Sequence, residues 1–301
     1  MAAITTLKQM AELVKGGKIK RVAVACGQDP DIIDALARAV NEKLAIAILI
    51  GDKAKTEALA REHKIDPAIF TLVDQPDYKK AAAQAVAMVK KGEADVLMKG
   101  LIDTAVYARA YLDKENGLMT GGTVSHVGVF ETPNYPRLLI ITDAAQIPYP
   151  DFGQKVEMVN HAVAVAKKLQ IEAPKVAVLT ATEKVNPKWP CSLEAAQLSK
   201  MADRGQIKGC IVDGPLSMDA AVSPECAKGK GIVSPVAGYA DILVTPDIQA
   251  GNILYKCLTQ MAGATVAAMV IGTSAPVILT SRTDTDDAKF YSIVLAALMA
   301  K

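Results

Sequence analysis

A polar turn follows the apolar run at residues 276–280 and combines residue types that can act on a phosphate-bearing substrate. Ser281 and Arg282 come directly after that run, and three acids, Asp284, Asp286 and Asp287, precede the last helical pattern. An arginine can hold a phosphate or carboxylate through two parallel hydrogen bonds, a serine hydroxyl can bind the same group, and a carboxylate can accept a proton.

Helix capping is a structural interpretation of the same turn. Thr283 or Thr285 can cap a helix that begins near Asp286, and acids are favourable at the positive end of a helix dipole. That dipole also lowers the pKa of a carboxylate, so an acid that acts as a base here must be buried enough to offset it. The two interpretations are compatible, and the sequence leaves open which acid has which role.

Other polar residues follow apolar runs, where strands are predicted to end. Lys99 follows the run 94–98, Asp247 and Asn252 follow the run 242–245, and Ser125 and His126 lie in a Gly-rich stretch. Because the carboxyl ends of parallel strands meet at one edge of a sheet, these residues are predicted to line a binding cleft. Structural alternatives exist: a surface lysine for Lys99, turn chemistry for the Ser-His pair, and a helix N-cap for Asp247.

Short Val/Ile/Leu runs alternate with longer amphipathic runs along the chain. The pattern predicts strands at residues 21–26, 44–50, 71–73, 94–98, 137–142, 175–180, 209–212, 242–245, 268–272 and 276–280. It predicts helices at 30–42, 78–91, 154–169, 192–204, 249–260 and 286–301. Several strands are apolar on both faces, which is typical of a mainly parallel sheet covered by helices on both sides. The predicted fold class is therefore α/β.

The Gly-, Thr- and Pro-rich stretch at residues 117–136 interrupts this alternation and is interpreted as a domain crossover. A second hinge is predicted near residues 260–266. We therefore predict a discontinuous first α/β domain of residues 1–126 plus 264–301, and a second α/β domain of residues 127–263.

Composition excludes several classes of protein. The 301 residues are 51% hydrophobic but only 4% aromatic, which predicts a large aliphatic core. The net charge of +2 gives no reason to expect nucleic acid or an anionic membrane as a partner. Five cysteines without a CxxC pair indicate a reducing cytoplasm, and three histidines without zinc-site spacing predict no metal. Residues 257–281 carry no charge, but their glycines and proline favour strands and turns over a membrane span.

The common catalytic signatures are absent from the sequence. It has no Walker A loop, no GxGxxG after a strand and no GxSxG elbow. His63 and His161 lie in helical patterns and are interpreted as structural. Cys191 stands at a predicted helix start without a histidine nearby in sequence, so a nucleophilic role there is disfavoured.

Three longer motifs resemble one protein family. Residues 234–256 read SPVAGYADILVTPDIQAGNILYK, residues 213–221 read DGPLSMDAA, and residues 279–282 read LTSR. Together they are similar to the phosphate acetyl/butyryl transferase family, from residue 94 to the end and more loosely before it. The chain length, MKGLIDTA at 98–105 and TSRTDTDDAKFYSI at 280–293 look more like the butyryl branch than the acetyl branch.

The resemblance implies a two-domain fold similar to isocitrate and isopropylmalate dehydrogenases, with a C-terminal piece that rejoins the first domain and a second domain that dimerises. It implies reversible conversion of acyl-CoA and inorganic phosphate to acyl phosphate and CoA, with CoA as substrate and no permanently bound cofactor. Transfer would be direct, in a ternary complex, without metal or covalent intermediate, in the cytoplasm.

The family's Ser-Arg motif and a following acid are catalytic, which implies roles here for Ser281, Arg282 and one of two acids. Asp287 is the first choice as base and Asp286 the second, because the acetyl branch has its acid where this chain has Ala288. Predicted substrate- and phosphate-binding residues are Lys99, Ser125, His126, Asp247, Asn252 and Lys256.

Three alternatives remain at the level of sequence. Acetyl could be preferred over butyryl, because one methylene changes binding by only about 1–3 kcal/mol. A CoA- or acyl-phosphate-binding protein without catalysis is a second alternative, which the intact Ser281 and Arg282 disfavour. An NAD- and metal-dependent decarboxylating dehydrogenase of similar fold is the third, and it would need an acidic metal cluster.

Overall fold

The computed structural model describes residues 3–281 and 284–301. Its strands are β1 Lys20–Ala25, β2 Ala45–Gly51, β3 Thr71–Asp74, β4 Val96–Lys99, β5 Ser125–Glu131, β6 Leu139–Thr142, β7 Lys175–Leu179, β8 Ile211–Leu216, β9 Ile242–Val244, β10 Thr265–Ile271 and β11 Val277–Ile278. Its α-helices are α1 Leu7–Val14, α2 Pro30–Asn41, α3 Lys53–Glu62, α4 Tyr78–Lys90, α5 Thr104–Tyr111, α6 Phe152–Lys168, α7 Pro190–Asp203, α8 Met218–Val222, α9 Pro224–Gly229, α10 Ile248–Gln260 and α11 Asp286–Met299.

The chain divides into two compact units. The split unit comprises Lys8–Val124 and Val266–Lys301, and the central unit comprises Ser125–Thr265 with the described residues up to Leu7. The N-terminal residues group with the central unit because Ile4 N–H donates to Leu169 O (3.0 Å) and Leu7 N–H to a Glu131 carboxylate oxygen (2.7 Å). The assignment of functional domains at 1–126 plus 264–301 and at 127–263 stays a prediction.

The sheet of the split unit has the strand order β3-β2-β1-β4-β11-β10. All neighbours are parallel except β10 and β11, which are antiparallel. The apolar runs of β1 and β4 are buried along nearly their whole length, as expected for strands covered on both faces. Helix α11 packs against α2, and α4 packs against α5.

Local sequence explains why α2 begins where it does. The Asp29 side chain accepts a hydrogen bond from Ile32 N–H, and Pro30 occupies the first helical position, where its missing N–H is not needed. The apolar stripe that includes Ile32, Ile33 and Leu36 then faces the core.

The sheet of the central unit has the order β5-β6-β9-β7-β8, antiparallel between β5 and β6 and parallel elsewhere. Helix α6 begins with a capping box in which Asp151 and Gln154 satisfy each other's backbone N–H groups. The α/β class with a mostly parallel sheet is confirmed.

Some elements differ from the predictions. The stretch at 117–136, interpreted as a domain crossover and given no strand, contains strand β5, whose seven residues are buried or nearly so. The glycines and prolines around it, and its own Ser125, His126 and Glu131, obscure a strand that is largely buried on both faces. Helices α1, α3, α5, α8 and α9 were not predicted, because they are short or largely polar. Within the described residues, no helix is long and apolar enough to cross a bilayer.

Candidate active site

Three neighbouring strands of the split unit end at the same edge. In the parallel ladders Ala25 of β1 lies opposite Lys99 of β4, and Ile278 of β11 lies opposite Met98. Because the strands run in one direction, the residues that follow them collect at the carboxyl edge of the sheet. This edge therefore carries Lys99 and, three residues past β11, Ser281.

The turns after β1 and β4 pack closely at this edge. Gly100 N–H donates to Ala25 O at 2.8 Å, and a Cβ atom at Gly100 would lie 2.1 Å from Cys26 O. Only glycine therefore fits beside the β1 turn. The following residue, Leu101, also ties its N–H to Cys26 O at 2.8 Å.

Lys99 is buried, with 4% of its surface exposed, so the alternative of a surface lysine is wrong. Its Nζ lies 3.4 Å from Gly100 O. The neighbouring Cys26 is also buried, and burial raises the pKa of its thiol to about 12 although the charge of Lys99 acts in the opposite direction. Cys26 is therefore a neutral thiol near pH 7 and a poor nucleophile.

The Ser281 turn is closed by hydrogen bonds to Asp284. Ser281 N–H donates to the Asp284 carboxylate at 2.7 Å, and Asp284 N–H donates to Ser281 O at 3.2 Å. Ser281 is half-buried. Arg282 and Thr283 lie outside the described residues, so the role predicted for Arg282 stays a prediction.

Helix α11 begins directly after this turn. The Thr285 hydroxyl accepts a hydrogen bond from Ala288 N–H at 3.2 Å, which confirms the prediction that a threonine caps the helix. Because a hydroxyl serves as the cap, the carboxylates of Asp286 and Asp287 in the first turn are left for other contacts.

The two acids have different surroundings. Asp287 accepts a hydrogen bond from the Arg38 guanidinium at 2.6 Å, and Arg38 lies over the Phe290 ring with its Cζ 3.7 Å from the centroid. Asp287 thus belongs to an ion pair that joins α11 to α2. Asp286 is exposed at the surface, unlike the buried base expected from the sequence, but partial shielding of its carboxylate from water and then the negative charge of Asp31 raise its pKa.

A buried cation lies beneath the same turn. Lys289 Nζ donates to the Asp31 carboxylate at 2.8 Å and to the Asp284 carbonyl at 2.9 Å, and its side chain is 3% exposed. Lys289 was not predicted as a site residue, because it stands near the start of a helical pattern without any local sign that it is buried. Its partner Asp31 lies far away in the sequence.

A second polar cluster lies in the central unit, at the start of β5. Ser125 Oγ is 2.8 Å from His161 Nδ1, and burial lowers the pKa of His161. His126 N–H donates to the Asp143 carboxylate at 2.8 Å. The other oxygen of Asp143 accepts from the N–H groups of Ala145 and Gln146, both at 2.8 Å. Asp143 and His161 were not predicted as site residues, although Asp143 directly follows a predicted strand.

Helix α10 carries the remaining predicted binding residues. Asp247 is its N-cap and accepts from Ala250 N–H at 2.9 Å, which agrees with the structural alternative. Asn252 donates to Ala144 O at 3.0 Å, and Lys256 Nζ lies 5.1 Å from the centroid of the Tyr255 ring. All three side chains thus have contacts within the central unit, and their roles in substrate binding stay predictions.

The predicted residues therefore fall into two groups. The split unit holds Lys99, Ser281, Asp286 and Asp287, and the central unit holds Ser125, His126, Asp247, Asn252 and Lys256. Each group lies where strands of its own unit end or begin.

A family model described as "Phosphate acetyl/butaryl transferase" matches residues 5–83 and 77–297 of the chain. The chain belongs to this family. The phosphate butyryltransferase of Clostridium acetobutylicum is 48% identical over 297 residues, which cover 99% of both chains. The phosphate acetyltransferase of Thermotoga maritima is 47% identical over 294 residues, covering 98% of this chain and 99% of that protein.

A solved structure of the family agrees with the fold. The branched-chain phosphotransacylase of Enterococcus faecalis superposes with a TM-score of 0.81 at 32% identity, covering 94% of this chain and 100% of the other. The family resemblance that the Ser-Arg motif and residues 234–256 indicated is therefore confirmed.

Proposed function

We propose that this protein is a phosphate acyltransferase that moves a short acyl group, preferably butyryl, reversibly between CoA and inorganic phosphate. The observation that carries the proposal is the turn after β11. Two hydrogen bonds join Ser281 to Asp284 in this turn. Helix α11 then begins with Asp286, an acid whose pKa is raised. Near-full-length relatives that are named phosphate butyryl- and acetyltransferases support the same activity.

In the direction of acyl-CoA synthesis, the CoA sulfur attacks the carbonyl carbon of the acyl phosphate. A C–S bond forms, and a carboxylate base takes the thiol proton. The tetrahedral intermediate then collapses, the C–O bond to phosphate breaks, and the electron pair leaves with the phosphate. The base returns the proton, so that hydrogen phosphate departs. No atom is oxidised or reduced, and no enzyme nucleophile is needed.

Asp286 is better suited to be the base than Asp287. A thiol has an ordinary pKa near 8.5, so a carboxylate with a raised pKa is a better match for its proton than an ordinary one. The Asp287 carboxylate is held by Arg38 at 2.6 Å in a contact between two helices. This order reverses the choice made from the sequence.

Ser281 is proposed to hold the thiol or thiolate through its hydroxyl. Arg282 is proposed to bind phosphate through two hydrogen bonds and to offset charge on the carbonyl oxygen. Lys99 adds a buried positive charge at the same edge of the split unit, where it can attract the phosphate dianion.

We also propose an acyl-chain preference and an oligomeric state. Butyryl preference is supported by the relatives named phosphate butyryltransferase at 48% and 47% identity. A cytoplasmic location is also proposed. A homodimer formed through the central unit is supported by large apolar side chains that this unit exposes. Val233 is 100% exposed, Met261 84% and Ile253 64%. CoA is proposed as a substrate and not as a resident cofactor.

The test is phosphate-dependent release of CoA from butyryl-CoA, followed with a thiol reagent. Ser281→Ala and Arg282→Gln are expected to lose most of the activity. A panel of acetyl-, propionyl-, butyryl- and valeryl-CoA, compared by kcat/KM, measures the preference.

Turnover that does not depend on phosphate would refute the acyltransferase assignment. Full activity of Ser281→Ala or Arg282→Gln would refute the role given to that residue. A preference for acetyl-CoA would leave the reaction intact and reassign the substrate.

A further inference from the structure

We propose that Lys289, held by Asp31, is a positioning residue that fixes the Ser281 turn and the start of α11 in the arrangement that acyl transfer needs. The inference rests on the proposed function and extends it to two residues that do not themselves contact the reacting atoms.

Lys289 and Ser281 are linked through hydrogen bonds to Asp284. Lys289 Nζ donates to the Asp284 carbonyl at 2.9 Å, and the Asp284 carboxylate accepts the N–H of Ser281 at 2.7 Å. One buried ammonium therefore reaches Ser281 through a single intervening residue. The same ammonium is bound to Asp31 in the first turn of α2 at 2.8 Å, so the turn is fixed to a second helix.

Stability alone does not account for a lysine at this position. Its side chain is 3% exposed, and it stands in the first turns of α11, where the helix dipole disfavours a positive charge. Replacing a buried ion pair by apolar side chains of similar volume is often neutral or stabilising. The feature that an apolar side chain could not supply here is the hydrogen bond to the Asp284 carbonyl.

Charged side chains from two helices surround Asp286. From α2, Asp31 and Asp34 raise its pKa, and from α11, Asp287 raises it while Lys289 lowers it. Asp34 in turn contacts His63 Nδ1 at 2.8 Å, and Asp287 contacts Arg38 at 2.6 Å.

The two members of the Lys289–Asp31 pair thus act on Asp286 with opposite signs. Removing the ammonium should raise the pKa of Asp286 further, and removing the Asp31 carboxylate should lower it. These shifts follow from the charges alone, and the readout that a merely stabilising contact would not move is kcat at an unchanged KM for CoA.

The experiment compares Lys289→Met, Lys289→Arg and Asp31→Asn by the pH dependence of kcat for butyryl phosphate and CoA, followed through the thioester absorbance. In Lys289→Met, kcat should fall about 10- to 100-fold with little change in the KM for CoA, because the turn is misplaced. The acidic limb of the profile should move to higher pH. Lys289→Arg should return the limb toward its wild-type position, and Asp31→Asn should move it to lower pH.

Lys155→Met is the matched control, because Lys155 forms a similarly buried ion pair with Glu194 in the central unit. The acidic limb of the pH profile of Lys155→Met should stay at its wild-type position. Full kcat in Lys289→Met would overturn the inference, and so would acidic limbs that do not move, or move in the same direction, in Lys289→Met and Asp31→Asn. In either case an active wild type leaves the proposed function standing. If Lys289→Met does not fold, the profiles of Lys289→Arg and Asp31→Asn decide. A wild type without phosphate-dependent turnover would refute the proposed function itself.

Discussion

Two turns in this molecule connect a strand to a long helix and use their acids differently. In the central unit, the turn from β9 to α10 uses a carboxylate as its cap, and Asp247 accepts Ala250 N–H at 2.9 Å. In the split unit, the turn from β11 to α11 uses the hydroxyl of Thr285, and the carboxylates of Asp286 and Asp287 follow it. The carboxylate of Asp247 is thus used by the end of its helix, whereas the hydroxyl cap leaves Asp287 for an ion pair with Arg38 and Asp286 for the proposed substrate contact.

The two turns also differ in the fourth residue of the helix that follows each of them. In α10 it is Gly251, where a Cβ atom would lie 2.0 Å from Asp143 O, so the helix is pressed directly against the backbone. In α11 it is Lys289, whose long side chain fills that space and reaches back to the turn. The central turn is therefore fixed by close packing, and the β11–α11 turn is fixed by a charge.

The largest expected effect is a loss of activity when Asp286 of the β11–α11 turn is replaced. Asp286→Asn should lower kcat about 100- to 10,000-fold, because it removes the proposed base while preserving the shape of the side chain. Steady-state kinetics with butyryl phosphate and CoA measure it, and Asp287→Asn should lose less than about tenfold.

Asp203→Asn is the control for this prediction. Asp203 is exposed at the end of α7, and the partner described for it is Lys200 of the same helix. A greater loss in Asp287→Asn than in Asp286→Asn would restore the order of the two acids that the sequence suggested.

Gly251→Ala should destabilise the protein by about 2–3 kcal/mol, because the added methyl group overlaps Asp143 O and the helix must shift. Urea denaturation measures the change. Gly229→Ala, at the end of α9, is the matched control, since a Cβ there meets nothing within 4 Å. Equal stability of the two variants would contradict the close packing inferred for the central turn.

Removing either cap should have a similar and smaller effect. Asp247→Ala and Thr285→Ala should each cost about 1 kcal/mol in the free energy of unfolding, because each leaves a helix N–H without its partner. Asp247→Asn should retain most of that stability, since asparagine caps equally well. Thermal denaturation compares the three variants. A cost for Asp247→Asn as large as for Asp247→Ala would mean that charge, and not capping, is what Asp247 contributes.

The smallest expected effect is a gain in stability from Asp286→Asn at neutral pH, below about 0.5 kcal/mol because the residue is exposed. Partial shielding of its carboxylate from water and the negative charge of Asp31 raise the pKa of Asp286 in the folded protein. Its favourable contribution is therefore present below the pKa of the unfolded chain and is lost as pH rises through the folded pKa. The difference between variant and wild type should vanish in acid. Melting curves from acidic to neutral pH test the sign, and a variant less stable than wild type at pH 7 would contradict it.

The sequence predicted the elements whose patterns are local. The helix at 30–42 was found within one residue, because Asp29 and Pro30 mark its start and Ile32, Ile33 and Leu36 its buried face. Strand β5 was missed because Gly128 and the neighbouring Gly- and Pro-rich segments favour a loop, and its burial depends on neighbours from elsewhere in the chain.

The candidate site was only partly predictable for the same reason. Ser281 was predicted because it follows an apolar run, and Asp286 because the family resemblance implies an acid shortly after the Ser-Arg motif; both roles stay predictions. The difference between Asp286 and Asp287 depends on Arg38 and Asp31, which come from a helix at the other end of the chain. Lys289 gave no signal, because burial of a lysine is decided by tertiary packing.

The position of β11 and α11 in the split unit has a consequence for biosynthesis. Both follow the central unit in the chain, yet β11 pairs with β4 and α11 packs against α2, which are made much earlier. Until they arrive, β4 has one unpaired edge, and the nascent chain has no Ser281 turn. A chain that stops before β11 would therefore leave the sheet of the split unit incomplete.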